Sequence, residues 1–202
     1  MSRKILPRFL AAVVLSVLAV SLSGCANDPL AEQYRSGSDK NYIAANGTIT
    51  EIAPGDRGSA VRFAGKLEDG RPVSSAEYTG QVLVLNFWYA GCAPCRAEAP
   101  DLEKSNQKFT TQGVKFLGVN VRDQAATALA FSRTYGISYP SVLDADDGTL
   151  QLAFSGTIAP NAVPTTLVVD KQGRVSARIL GRIPDVSILD ALITTAVAEK
   201  AP

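Results

Sequence analysis

Two of the chain's three cysteines fall in the stretch Cys92-Ala93-Pro94-Cys95. A dithiol at this spacing can exchange with other disulfides, contribute to a metal site, or close a small structural loop. The exchange reading follows from its place in the pattern. An apolar run from Val82 to Trp88 ends just before it, and a helical pattern begins near Cys92, so the first sulfur lies among the unpaired N–H groups of a helix N-terminus. Those donors and the positive end of the helix dipole favour a thiolate, which predicts a pKa for Cys92 below the free-thiol value of about 8.5. Cys95, one turn further in, is expected to be sheltered until it resolves a mixed disulfide. Pro94 suits an early helical position, where its missing N–H costs nothing.

Composition removes most rival chemistries. The chain has no histidine, which excludes Ser-His and Cys-His nucleophiles, His-ligated copper or zinc, and covalent haem through a CxxCH sequence. A tetrahedral zinc site needs four ligands, and no second CxxC exists to supply them. A disulfide closing so small a loop would constrain the unfolded chain little, so it makes a poor staple. Asp144-Ala145-Asp146-Asp147-Gly148 lacks the terminal glutamate of a calcium loop and reads as an acidic turn. No metal is expected, and no cofactor beyond a redox-active Cys92–Cys95 disulfide. With 20 Lys and Arg against 19 Asp and Glu, the chain lacks the basic footprint of a nucleic-acid binder.

The elements that must position the pair follow from periodicity. Val61 to Leu67 and Arg71 to Ser74, around Glu68-Asp69-Gly70, predict a hairpin. The Val82–Trp88 run predicts a strand buried on both faces, and Val114 to Val121 a second. Between them a helix runs from near Cys92 to about Phe109, kinked at Pro100. Asp123 is expected to cap a helix with Ala125, Ala128, Leu129, Ser132 and Tyr135 on its apolar side, closed by Gly136. Ile137 to Leu143 reads as a short strand, and Gly148 to Phe154 as a helical turn. A second hairpin spans Thr166 to Leu180 about Asp170-Lys171-Gln172-Gly173. A last helix starts near Pro184 and Asp185, with Val186, Leu189, Leu192, Ile193 and Val197 on one face. This order predicts an α/β fold, a central mixed sheet with helices on both faces.

The stretch Asn86-Phe87-Trp88, the CxxC, Arg96-x-Glu98-x-Pro100, and Val163-Pro164-Thr165-Thr166 before a strand together resemble the thioredoxin superfamily. Within it the resemblance is to the TlpA/ResA branch of membrane-tethered, extracytoplasmic thiol-disulfide oxidoreductases, and it covers roughly Ala60 to Ala198. It implies a thioredoxin fold with an N-terminal β-hairpin and the branch's insertion, here about Asp123 to Phe154. It implies a cis peptide before Pro164, packed against the CxxC, which would free the backbone of Val163 to hold an extended client segment. Cytoplasmic thioredoxins carry a buried aspartate where Asn86 stands. The resemblance offers Glu98 as proton acceptor for Cys95 instead, the alternative being a solvated glutamate paired with a lysine such as Lys104. Trp88 matches the superfamily's active-site tryptophan, which shields the disulfide and rims a docking surface. Arg96 adjoins the pair and would either favour a thiolate or lie exposed.

The N-terminus supplies the address. Arg3, Lys4 and Arg8 precede 14 uncharged residues from Phe9 to Leu22, a signal-peptide core shorter than the roughly 20 residues of a membrane-spanning helix. Leu22-Ser23-Gly24-Cys25 resembles the bacterial lipobox, which implies cleavage before a lipid-modified Cys25. Residues 1–24 are thus read as a signal peptide, 25–59 as a polar tether with a short strand at Gly47 to Ile52, and 60–202 as the domain. The expected location is the extracytoplasmic face of the cell membrane, held by acyl chains at about 0.8 kcal/mol per buried CH₂.

The expected partners are cysteine-containing extracytoplasmic proteins, apocytochrome c among them by the ResA resemblance, and a membrane thiol reductant. A disulfide oxidase or isomerase, a thiol peroxidase and a non-catalytic binding lipoprotein are the alternatives. Against the peroxidase, Tyr89 stands three before Cys92, where a Thr or Ser would be expected.

Overall fold

In the computed structural model, residues 48–159 and 162–200 are described; the signal segment, Cys25 and most of the tether lie outside them. Among the described residues eight strands and four α-helices follow in chain order. The strands are β1 (Ile49–Glu51), β2 (Ala64–Lys66), β3 (Pro72–Ser74), β4 (Leu83–Trp88), β5 (Lys115–Asn120), β6 (Ser141–Leu143), β7 (Thr165–Val169) and β8 (Val175–Leu180). The helices are α1 (Ala93–Phe109), α2 (Ala125–Tyr135), α3 (Thr149–Ala153) and α4 (Val186–Ala198). Six strands form one sheet in the order β1-β8-β7-β4-β5-β6, parallel across β4-β5-β6 and antiparallel elsewhere. The hairpin β2-β3 stands apart as a two-stranded sheet.

The continuous apolar run is explained by β4, which lies between β5 and β7 with all six residues buried. Its alternate side chains serve two cores, as the two-residue period of a strand requires. Leu83, Leu85 and Phe87 pack with Leu117, Val119 and Leu167 beneath Val73, Leu150 and Phe154 of the hairpin and the α3 region. Val84, Phe116, Val168 and Ile179 pack beneath Leu102 and Phe109 of α1 and Leu189 and Ile193 of α4. Each such fully buried aliphatic or aromatic side chain contributes roughly 1.5–3 kcal/mol.

Three expectations are corrected here. Ile49–Glu51 is no part of a tether: it pairs with Ile179–Ala177 as the edge strand, so the folded body reaches back at least to Thr48. The short strand expected at Gly47 to Ile52 is present; what the sequence did not show is its partner, β8. Asp123 does not cap α2, whose N-cap is Gln124 without a side-chain bond. The buried side of α2 carries Ala128 and Phe131, while Leu129 faces outward. Gly136 does close α2, in the left-handed conformation with φ 67°.

The acidic turn is structural. Asp144 is buried, and its carboxylate accepts the N–H groups of Leu150 (2.8 Å) and Gln151 (2.9 Å) at the start of α3. Among the described residues no group of three His, Cys, Asp or Glu is placed to hold a metal, and no helix is long and apolar enough to cross a membrane.

Candidate active site

At the C-terminal end of β4 the chain turns through Tyr89, Ala90 and Gly91 and enters α1 with Cys92 as N-cap. The turn is closed by Cys92 N–H donating to Tyr89 C=O at 3.1 Å. Cys92 Sγ accepts from the N–H of Cys95 at 3.2 Å, the contact expected of a sulfur at a helix N-terminus. Pro94 occupies the first helical positions. Cys92 and Cys95 form a disulfide with Cα atoms 5.2 Å apart. The two residues are almost equally covered, 4% and 2% exposed, so what separates them is position on the helix: one caps it, the other lies within its first turn.

Glu98, one turn further along α1, is fully buried. Oε1 accepts from Asn86 Nδ2 at 2.9 Å and Oε2 from the N–H of Ile183 at 3.0 Å. The alternative of a solvated glutamate paired with Lys104 is therefore set aside. Burial pushes the Glu98 carboxyl up to about 7, opposed by the Ile183 N–H, the Asn86 amide and the charge of Arg182. Asn86 also donates to Thr166 Oγ1 at 3.1 Å, which fixes the amide across β4 and β7. Asn86 and Cys95 line one small cavity of about 10 Å³ with Ser132, Tyr139 and Ser141. That is about the room one water molecule needs. Glu98 touches neither sulfur by hydrogen bond; Asn86 links it to the wall of the cavity that Cys95 shares.

The Val163-Pro164 peptide is cis. Val163 is half-buried and packs against the cluster that contains both cysteines, Trp88, Ala99, Ala128 and Phe131. Pro164 C=O accepts from Gly181 N–H at 2.8 Å, while among the described residues neither the N–H nor the C=O of Val163 has a hydrogen-bond partner.

Trp88 departs from the expectation of an exposed docking rim. It is 4% exposed, its ring stacked on Phe131 at 4.2 Å between centroids, so it shields the disulfide from within. Gly118 of β5 makes room for it, since a Cβ there would meet Ser141 Oγ and come within 2.8 Å of Trp88 Nε1. Arg96 is neither free nor paired with a sulfur: Nη1 donates to Ala90 C=O at 3.0 Å.

Sequence reasoning missed Phe131, Thr166 and the Ile183 N–H, and valued Asn86 only as a group unable to ionise. Phe131 alone carried a signal, an aromatic two residues from a misassigned helix face. The other contacts join residues far apart in sequence and leave no local spacing.

The AhpC/TSA family matches residues 57–178. A thiol-disulfide oxidoreductase, ResA, of Bacillus subtilis (strain 168) is 31% identical over 126 residues, 61% of this chain and 68% of that protein. ResA of Geobacillus thermodenitrificans is 33% identical, the match covering 56% of this chain and 62% of that protein. Among solved structures, a DsbF homologue from Corynebacterium diphtheriae is 30% identical with a TM-score of 0.66, covering 78% of this chain and 99% of the other. A secreted thiol-disulfide isomerase from Corynebacterium glutamicum is 29% identical with a TM-score of 0.68, covering 81% and 100%.

Proposed function

The chain belongs to the AhpC/TSA family within the thioredoxin superfamily and is a thiol-disulfide oxidoreductase, and on that premise we propose that it is a lipid-anchored reductase of extracytoplasmic protein disulfides, apocytochrome c among its clients. The observation that carries the reading is Cys92 Sγ at the cap of α1, accepting the Cys95 N–H. In the reduced protein the same N–H stabilises a Cys92 thiolate.

The reaction runs in two displacements. The Cys92 thiolate attacks one sulfur of the client disulfide, forming a Cys92–client bond and expelling the other sulfur as a thiolate, which takes a proton from solvent. Cys95 then gives its proton to Glu98 and attacks Cys92 Sγ, forming the Cys92–Cys95 disulfide and releasing the second client sulfur. The client gains two electrons and the domain loses two, so a membrane dithiol donor has to restore it.

Glu98 suits the acceptor role because its carboxyl is pushed up to about 7, close to the operating pH. The unpaired backbone of Val163 beside the disulfide suits an extended client segment, held by main-chain hydrogen bonds. Tyr89, its ring under the Arg122 guanidinium at 4.2 Å, stands where a peroxidase would be expected to carry a Thr or Ser, which weighs against the peroxidase reading.

The test is the reduction potential of the Cys92/Cys95 couple, equilibrated against glutathione or dithiothreitol buffers. A value near the about −270 mV of thioredoxin supports a reductase, whereas one near the about −120 mV of DsbA makes the protein an oxidant and removes the cytochrome assignment. Cys92→Ser is expected to abolish exchange, and a variant that still reduced clients would refute the two displacements.

A further inference from the structure

The turn that carries Cys92 is gripped from outside at one peptide. Ala90 donates its N–H to Asp123 Oδ2 at 2.6 Å, and its C=O accepts from Arg96 Nη1 at 3.0 Å. Asp123 belongs to the loop after β5 and is itself held in place. Oδ2 also accepts from Asn120 Nδ2 at 2.8 Å, and the N–H groups of Asp123 and Arg122 both donate to Asn120 Oδ1, at 2.7 and 3.1 Å. Arg122 then lies over the ring of Tyr89, 4.2 Å from its centroid. The buried Asn120 thus anchors a short loop that presses on Tyr89 and Ala90 together. Asp123 does this although it stands directly before Gln124, the N-cap of α2, to which it gives no capping bond.

We propose that Asp123 is a positioning residue for Cys92, setting its thiolate over the N-terminus of α1 by fixing the Ala90 peptide. The proposal rests on Cys92 being the attacking sulfur. Its logic is geometric. The Cys95 N–H stabilises a thiolate only while Sγ stays at the cap, a contact of 3.2 Å here. The residues between that sulfur and the end of β4 are Tyr89, Ala90 and Gly91, of which the first two are braced by the Asn120–Asp123 loop. A hydrogen bond to an ionised acceptor is roughly twice as strong as a neutral one, so the Asp123–Ala90 contact is the firmest of these ties. Without it the turn relaxes, Sγ leaves the cap for part of the time, and the thiolate loses its donor.

The charge of Asp123 acts in the opposite direction. A carboxylate near a thiolate disfavours it, so a purely electrostatic role predicts that removing the charge lowers the Cys92 pKa. Both donors fall on the single oxygen Oδ2, which an amide carbonyl can replace. Asp123→Asn therefore keeps the ties and loses the charge, whereas Asp123→Ala loses both.

The experiment is peptide-resolved alkylation of Cys92 as a function of pH, in the reduced mature protein and in both variants. Near-ultraviolet circular dichroism serves as a check that each is folded. Asp123→Ala is expected to raise the Cys92 pKa by about one unit, equivalent to about tenfold less thiolate at a pH below both values, and Asp123→Asn to stay close to the parent. Equal pKa values in all three proteins, or a fall shared by both variants, overturns the positioning role. So does an Asp123→Ala protein that fails to fold while Asp123→Asn titrates unlike the parent. The titration needs no client, so a parent protein that exchanged with no disulfide would sink the functional reading and leave this one to the pKa values.

Discussion

The two ends of the central sheet each bury a carboxylate, and the two are treated in opposite ways. Glu98 lies at the end of β4 where Cys92 and Cys95 stand; Asp170 lies at the other end, in the turn between β7 and β8 beside the start of β4. Their exposures are 0% and 3%. Burial alone pushes both carboxyls up. At Asp170 it is outweighed by the Arg174 N–H, the Arg57 guanidinium and the Gln172 N–H, and the carboxyl falls below its ordinary value. Arg57 and Arg174 both reach Oδ2 at 2.9 Å. Glu98 receives two uncharged donors and no ion pair, and its carboxyl rises to about 7. Two covered carboxylates thus end as an anion at one end of the sheet and a group poised to take a proton at the other. Asp170 sets two backbone N–H groups and two guanidinium groups against burial, whereas Glu98 has one backbone N–H and one amide.

The largest expected effect is at the paired end. Arg57 joins Asp170 to Glu199 as well, tying the β7–β8 turn to the chain beyond α4, and its side chain is 2% exposed. Asp170→Ala removes one acceptor from each of two guanidinium groups, Arg57 keeping Glu199 and Arg174 keeping Pro54 C=O, and leaves the N–H groups of Gln172 and Arg174 without theirs. Breaking one side of a buried ion pair costs about 3–5 kcal/mol, read as a fall in the urea midpoint with unchanged slope. The Cys92/Cys95 potential should stay where it is. A variant that kept its stability, or that shifted the potential, would break the division of the sheet into a structural and a chemical end.

The next effect is at Glu98 and has the opposite slope with pH. A carboxyl raised from 4.5 to about 7 contributes fully below pH 4.5, and stability is lost as the pH climbs through 7, by about 3 kcal/mol in all. Asp170, whose carboxyl is depressed, contributes above its ordinary value of 3.8 and loses that contribution on acidification. In the oxidised protein the site cysteines do not titrate and the chain has no histidine, so the neutral range is unusually clear. Glu51 is also pushed up by burial, against the pull of Arg57, so the quantity to read is the difference between the parent and Glu98→Gln. That difference should grow from pH 4.5 to 7 in favour of the variant and then level off. Glu98→Gln should also slow the release of clients from mixed disulfides. Parallel stability curves across that range would show that Glu98 titrates as an ordinary glutamate and would remove it as the Cys95 proton acceptor.

How much of this was legible beforehand divides along the same line. Hairpins, buried strands and the helix starting at the cysteines are local, and each left a local mark: Asp69-Gly70 and the Asp170–Gly173 turn, a continuous apolar run, Pro94 inside a helix start. The cis peptide at Val163-Pro164 and the burial of Glu98 were reached only through resemblance. What stayed hidden was tertiary. Asp123 looked like a helix cap because a cap is the nearest use for a carboxylate at such a position, whereas its partner Ala90 lies 33 residues earlier. The face of α2 was misjudged because Leu129 and Phe131 are both apolar and only the ring of Trp88 decides between them. The ladder of β1 on β8 joins segments 128 residues apart, as the contact between Thr50 and Arg178 shows.

The smallest effect is the sharpest probe of why Glu98 sits near 7 and not higher. Asn86 donates to Oε1 at 2.9 Å, and a donor stabilises the ionised form more than the neutral one. Asn86→Ala removes that donor, so the Glu98 carboxyl should rise further, by about one unit or 1.4 kcal/mol, and the pH range over which stability declines should extend upward by the same amount. Thr166 Oγ1 loses the same amide as a donor, a loss that does not depend on the charge of Glu98. At pH 4, where Glu98 is neutral with or without Asn86, the variant carries only the cost of a lost neutral hydrogen bond and some packing. At pH 9, where Glu98 must be charged, it carries the larger cost of a charge with one donor instead of two. The measured signature is thus a bigger stability gap to the parent at pH 9 than at pH 4, and this excess should vanish when Asn86→Ala is made in the Glu98→Gln background. If the excess survived there, the two residues would be uncoupled. The Asn86 amide would then have no part in holding the Glu98 carboxyl down, leaving the Ile183 N–H to oppose burial.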